Sequence, residues 1–229
     1  MLIEIVFEHP DFVVINKPPT IAVQDEEHQQ GILPIICKQL GLERLWLVHR
    51  LDKVTSGLLV LGKSERAAAE FGRLFEAHQI EKYYVAIACK KPKKKQGTVS
   101  GGMKKVRDGL WILDDTQNQR ATTQFNSFGL IPNKRLFLLK PLSGKTHQIR
   151  VMMKSLGSPI LGDTLYKGES ADRTYLHAYA LKFNYQQENI ELLCEPKVGD
   201  FFALTATQDL LSNLSLPWTL TWPNYSHPH

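Results

Sequence analysis

At 229 residues, 43% of them hydrophobic, the chain is long enough to bury a substantial core and too apolar for a disordered or fibrous class. Its 28 Lys and Arg against 23 Asp and Glu leave +5 at pH 7, which favours a polyanionic partner without naming one. No uncharged apolar run approaches the ~20 residues of a membrane span, and the distant Cys37, Cys89 and Cys194 lack metal-ligand spacing and suit a reducing cytoplasm.

Met1 to Glu8 has no basic lead and breaks its apolar run at Glu4, so no signal peptide is expected. Ile3 to Phe7 and Phe12 to Asn16 predict two strands joined by a turn at His9-Pro10-Asp11; Lys17-Pro18-Pro19 ends the second. Gly31 to Gly41 has helical spacing with Gly41 as its C-cap. Ser64 caps a further helix running to about His78, whose stripe is Ala67, Ala68, Phe71, Leu74 and Phe75.

Lys82 to Ala88 predicts a strand that sends Tyr83 and Tyr84 to opposite faces. Lys90 to Lys95 reads as a solvated loop and a plausible phosphate contact, followed by a Gly-containing segment through Gly101-Gly102. Ala121 to Phe128 and Arg135 to Lys140 predict another strand pair. Ser143-Gly144-Lys145-Thr146 opens a helix through about Leu156, stopped by Gly157 and Pro159. After the polar loop Gly162 to Asp172, strands are predicted over Arg173 to Tyr185, Ile190 to Cys194 and Phe201 to Thr205. Trp218 and Trp222 in the nearly uncharged end are expected to pack on the protein. Strands outnumber helices and rarely alternate with them, which predicts α+β with a mixed, mostly antiparallel sheet.

Chemistry concentrates between Trp46 and Ser64. The apolar runs Leu45 to Val48 and Leu58 to Leu61 flank a charged turn, His49 to Ser56, which holds Arg50 and Asp52 at the rim of a core. Such a cluster is either a structural ion pair or an active site. Gly57 to Ser64 also matches the phosphate-loop pattern Gly-x-x-x-x-Gly-Lys-Ser, and Leu110 to Asp114 imitates its magnesium-binding run. A phosphate loop must leave its N–H groups exposed, whereas Leu, Leu, Val and Leu at the variable positions demand a buried strand. No Gly-x-Ser-x-Gly elbow or His-x-x-x-His pair is present.

His49-Arg50-Leu51-Asp52 with Thr55-Ser56-Gly57 resembles the signature of the RluA-type RNA pseudouridine synthases. Phe12-Val13-Val14-Ile15-Asn16-Lys17-Pro18 is similar to that family's first motif, and Lys82-Tyr83-Tyr84-Val85-Ala86 to its tyrosine strand. Gly144 to Val151 with Gly157 to Asp163 is similar to the third motif, and Leu176-His177-Ala178 to a shorter element. The likeness runs in order from about residue 5 to 205. It departs at Val54, Gly62, Lys145 and Met152, where an acidic or small polar residue, Ala, Arg and His are common.

The resemblance implies a stand-alone catalytic domain over 1–206, without the small RNA-binding domain that precedes it in some relatives. Residues 207–229 are then a tail packed on it, and the expected fold is a mixed sheet flanked by helices and loops around a central cleft. It implies isomerisation of a uridine in structured ribosomal or transfer RNA, by a monomer with no metal or cofactor. Asp52 is implied as the essential carboxylate, Arg150 as the cation that keeps it charged and Tyr84 as the ring that stacks on the flipped-out base. Opposite charges ~4 Å apart at an effective dielectric of about 20 attract by roughly 4 kcal/mol, enough for that task. Arg50 is expected to fill the gap left in the RNA. His49, Thr55, Lys145, His147 and Gln148 are further expected to contact substrate, and Lys93, Lys94 and Lys95 to meet RNA phosphates.

Overall fold

The computed structural model describes residues 1–26, 29–117 and 120–223, without the Asp108 side chain; the last six residues of the expected tail lie outside it. In chain order the first elements are β1 (Glu4–Glu8), β2 (Phe12–Lys17), α1 (Ile32–Leu40), β3 (Trp46–Leu47), β4 (Ser56–Gly62) and α2 (Glu65–Glu76). Then come β5 (Glu81–Ala88), β6 (Gln96–Lys105), β7 (Trp111–Leu113), β8 (Arg120–Ile131) and β9 (Lys134–Pro141). The chain continues with α3 (Gln148–Ser155), β10 (Leu176–Tyr185), β11 (Glu188–Leu193) and α4 (Thr205–Ser212). It is α+β, with mixed strand pairing. The contacts divide it into two compact units, Met1–Glu81 with His177–Pro196, and Lys82–Leu176 with Lys197–His229.

In the first unit β4 is the central strand, buried at every position as its Leu-Leu-Val-Leu run demands. β2 lies antiparallel along it from Phe12↔Gly62 to Lys17↔Gly57. β3 pairs antiparallel at Leu61 and Gly62, β10 parallel at Ser56 and Gly57, and β11 closes antiparallel on β10. The ladder bonds of β4 settle the Gly57 to Ser64 pattern: its backbone groups belong to a sheet. Ser64 caps α2 by accepting from Ala67 N at 3.1 Å, and the helix buries Ala67, Phe71 and Leu74. Phe71 meets Phe12 edge-on at 5.0 Å between centroids and stacks on Tyr185 at 5.2 Å, so helix and sheet share one aromatic core.

The second unit orders its strands β5-β9-β8-β6-β7, every pair antiparallel. β5 alternates as expected: Tyr83 is fully buried and Tyr84 half-buried. The rings of Trp218 and Trp222 lie 6.3 and 5.7 Å from that of Tyr83, and Gln124 Nε2 donates to the Pro223 carbonyl, so both tryptophans pack against β5.

Several boundaries differ from the sequence reading. The Gly-containing segment is the ten-residue strand β6; at Gly102 a Cβ would lie 2.4 Å from the Asp114 carbonyl, so close approach of backbone explains glycine within a strand. Phe201 to Thr205 is not a strand: Phe201 and Phe202 pack on Tyr175 from a turn, and α4 begins at Thr205. Alternation there reported burial. α3 starts at Gln148, after a turn from Ser143, and β10 starts at Leu176 because Thr174 and Tyr175 bond to Gly162, Leu161 and Ile87 instead.

Candidate functional site

The turn between β3 and β4 carries Arg50, exposed, and Asp52, half-buried, with Thr55 buried beneath them. Thr55 N donates to the Asp52 carbonyl at 3.0 Å, closing the turn on itself. Lys17, at the end of β2, holds it from below. Its side chain is fully buried and its ammonium donates to the carbonyls of Pro18 (2.8 Å), Ile21 (2.8 Å) and Lys53 (3.2 Å). Thr20 N donates to the same Lys53 carbonyl at 2.9 Å. A buried cation is tolerated only where carbonyls or carboxylates surround it, and here one of the three carbonyls belongs to Lys53, the residue after Asp52. The sequence reading placed Lys17 in a motif without giving it a task; a lysine closing an apolar strand was the available signal.

His49 sits in the gap between the two strands that share one edge of β4. Val60 N donates to its Nε2 at 2.9 Å, where neither β3 nor β10 supplies a carbonyl, and its ring lies 5.0 Å from that of Phe75. Nε2 therefore carries no proton in this arrangement, and His49 fixes the entry to the turn. At the exit, Ser56 Oγ meets His177 Nδ1 at 2.7 Å and His177 Nε2 meets the Cys194 carbonyl at 2.8 Å. Nε2 must donate to a carbonyl, so Nδ1 accepts from Ser56. Gly57 follows at φ +106°, where a Cβ would stand 2.3 Å from the Ala178 carbonyl oxygen. Only glycine lets β4 and β10 approach there.

In the second unit Ser143 to His147 is a turn delivering α3. Gln148, buried, organises it: Oε1 accepts from Ser143 Oγ (2.8 Å) and Lys145 N (2.9 Å), and Nε2 donates to the Thr122 carbonyl and Thr123 Oγ1, both at 3.0 Å. These contacts use the whole capacity of a carboxamide. Lys145 is half-buried, and His147 takes the left-handed conformation (φ 55°) as the residue before α3. Arg150, 5% exposed, is gripped edge-on by Asp163, 1% exposed: Nε to Oδ2 at 2.8 Å and Nη2 to Oδ1 at 2.9 Å. The Tyr166 ring lies 4.9 Å from its guanidinium carbon. The bidentate contact uses two of five guanidinium N–H groups and fixes the plane.

Tyr84 lies on β5 opposite Leu139, two residues beyond Lys82, so both project from the same face. Lys82 Nζ lies 3.4 Å from the Ser143 carbonyl, and burial pushes its ammonium below the ordinary lysine range. Lys93, Lys94 and Lys95 are exposed between β5 and β6; the first two border a cavity of about 360 Å³ also lined by Phe125 and Leu156. Among the described residues, no group of three or more His, Cys, Asp or Glu is placed to hold a metal ion, and no helix is long and apolar enough to cross a membrane.

The sequence matches a family model described as RNA pseudouridylate synthase over residues 11–155. It is 53% identical over 204 residues to an uncharacterized RNA pseudouridine synthase of Haemophilus influenzae, covering 88% of this chain and 91% of that protein. It is 30% identical to the tRNA pseudouridine synthase C of Vibrio parahaemolyticus, over 86% of this chain and 91% of the relative. The fold is similar to that of human RNA pseudouridylate synthase domain containing 4, with a TM-score of 0.73, 28% identity, and 90% and 93% of the two chains covered.

Proposed function

The chain belongs to the RNA pseudouridylate synthase family, and on that premise we propose that it isomerises a uridine of ribosomal or transfer RNA with Asp52 as the essential carboxylate. The reaction conserves atoms. The N1–C1′ bond of uridine breaks, the uracil turns, a C5–C1′ bond forms, C5 gives up its proton and N1 takes one. Its residues need only position groups and move protons, as an isomerase with polar side chains can.

The observation that carries the reading is the support under Asp52. A half-buried carboxylate stands on a turn closed by Thr55, held from below by the Lys17 ammonium and framed by His49 and the Ser56–His177 pair. A surface ion pair has no need of such a frame, whereas a catalytic carboxylate must be held in one place. Arg150, fixed in its plane by Asp163, supplies the cation this reading requires. Tyr84 receives the extruded base: leaving the helical stack costs a few kcal/mol, and stacking on an aromatic ring returns about 1–3 kcal/mol. On this reading Arg50, exposed beside Asp52, fills the vacated place in the RNA, Lys145 and His147 contact the substrate, Thr55 supports the turn, and Lys93 to Lys95 meet phosphates. The formal charge of +5 suits a polyanionic substrate.

The test uses RNA whose uridines carry tritium at C5, because forming the C5–C1′ bond releases that label to water. Asp52→Asn is expected to abolish release while leaving RNA affinity within a few-fold. Tritium release by that variant at the wild-type rate would remove Asp52 from the chemistry.

A further inference from the structure

Tyr166 is fully buried in a cluster with Met103, Ala121, Val151 and Met152, and core filling alone would explain its ring. It does not explain the hydroxyl. That oxygen accepts from Trp111 N in β7 at 3.1 Å and shares a 2.8 Å hydrogen bond with His147 Nδ1 at the start of α3. The ring meanwhile covers the Arg150 guanidinium, with Lys154 Nζ 5.9 Å from its centroid. The same short turn brings up Asp163, since Tyr166 N donates to the Asp163 carbonyl at 3.1 Å. Arg150 is thus held on its edge by one residue of the turn and on its face by another.

Trp111 is the residue paired with Lys105 across the β6–β7 hairpin, which exposes Lys105 and Arg107 together with Lys104, whose ammonium lies 3.4 Å from Asp114 Oδ2. We propose that Tyr166 is a positioning residue that couples this cationic hairpin to Arg150, so that RNA phosphates held at the hairpin settle the guanidinium used in the isomerisation. The inference rests on the uridine-isomerase reading and adds to it a path by which contact with the RNA backbone reaches the chemistry. A phenol is suited to the task because one side chain offers both a π face for a cation and a polar atom for two partners.

The experiment measures tritium release from a pool of ribosomal and transfer RNA transcripts labelled at C5 of uridine. Tyr166→Phe keeps the ring and the core volume and removes only the hydroxyl. It is expected to raise the apparent KM about ten-fold with little change in kcat. Tyr166→Leu also uncovers Arg150, and is expected to lower kcat by about a hundred-fold. Replacing Lys104, Lys105 and Arg107 together by Ala should weaken the wild type and add little to Tyr166→Phe, the non-additivity of a shared path. Wild-type kinetics in Tyr166→Phe, or strictly additive effects with the hairpin variant, would overturn the coupling. Losses matching only the fraction of unfolded protein, followed by circular dichroism, would return Tyr166 to core filling. If Asp52→Asn stays active the isomerase reading itself falls; if Asp52→Asn is inert and both Tyr166 variants are normal, only the coupling falls.

Discussion

The ammonium of Lys17 donates to the backbone carbonyl of Lys53 across 3.2 Å, tying the end of β2 to the residue that follows Asp52. The same ammonium donates to the carbonyls of Pro18 and Ile21, so β2 and the charged turn are joined at one atom. Lys17→Met removes the donor and leaves three carbonyls to a buried methyl group. The expected loss is about 3 kcal/mol of stability, since an unsatisfied buried polar group costs roughly 1–3 kcal/mol and some relaxation is available. Surviving folded protein should isomerise about a hundred-fold more slowly, because the carboxylate is no longer held. Urea unfolding and tritium release check the two parts separately, and an unchanged midpoint with full activity would dismiss the anchor.

Asp163 and Arg150 form a pair almost without solvent, 1% and 6% exposed at the side chains. Breaking such a pair by neutralising one partner costs about 3–5 kcal/mol, because the other charge stays buried. Asp163→Asn keeps the shape and one acceptor, so the expected loss lies at the low end, with a larger proportional loss of kcat than of RNA affinity. Equilibrium unfolding and steady-state kinetics on the labelled RNA decide it. Loss of affinity with kcat intact would place Asp163 in substrate binding.

Gln148 tests whether a side chain of the third motif serves the fold or the RNA. Its carboxamide is engaged at all four positions by Ser143, Lys145, Thr122 and Thr123. Gln148→Glu is isosteric, but turns both donors into acceptors facing the Thr122 carbonyl and Thr123 hydroxyl. The expected cost is about 2–3 kcal/mol with the carboxylate charged. It shrinks in mild acid, where a protonated carboxyl regains one donor. Urea midpoints in mild acid and mild alkali provide the comparison; a deficit independent of pH would mean that the Thr122 and Thr123 contacts carry no weight.

Those three side chains mark what could be read before folding. β4 was legible because an apolar run between glycines has one stable place, and β5 because Tyr83 and Tyr84 had to part company across a sheet. The cap of α2 was legible because Ser64 and its partner Ala67 are three residues apart. Lys17 is 36 residues from Lys53, and Gln148 is 26 from Thr122, so their partners exist only after folding. β6 stayed hidden for a related reason: the glycine that lets Asp114 approach also makes the segment resemble a loop. The Asp52 turn was visible as an ionisable cluster beside a core, but its support arrives from β2 and β10.

Tyr185 gives the first unit a dependence on alkaline pH. Burial, followed by the hydrogen bond its hydroxyl donates to Asp11 at 3.0 Å, pushes its phenol from 10.0 up to about 12. Between those values the folded chain keeps a proton that the unfolded chain has lost. Its contribution is therefore complete below pH 10 and fades as pH climbs toward about 12. Tyr175 and Tyr179, also raised by burial, act in the same direction. Arg173, lowered by burial to about 10, acts in the opposite one, because above that pH the unfolded chain binds the extra proton. Tyr185→Phe isolates one phenol from this sum. Below pH 10 the variant should be less stable by about 1 kcal/mol, the net worth of the lost hydrogen bond. The gap should narrow as pH rises, since only the wild type has a proton to defend at that position. Paired urea titrations through the window measure the gap, and a constant difference would show that Tyr185 ionises as readily in the folded protein as in the unfolded chain.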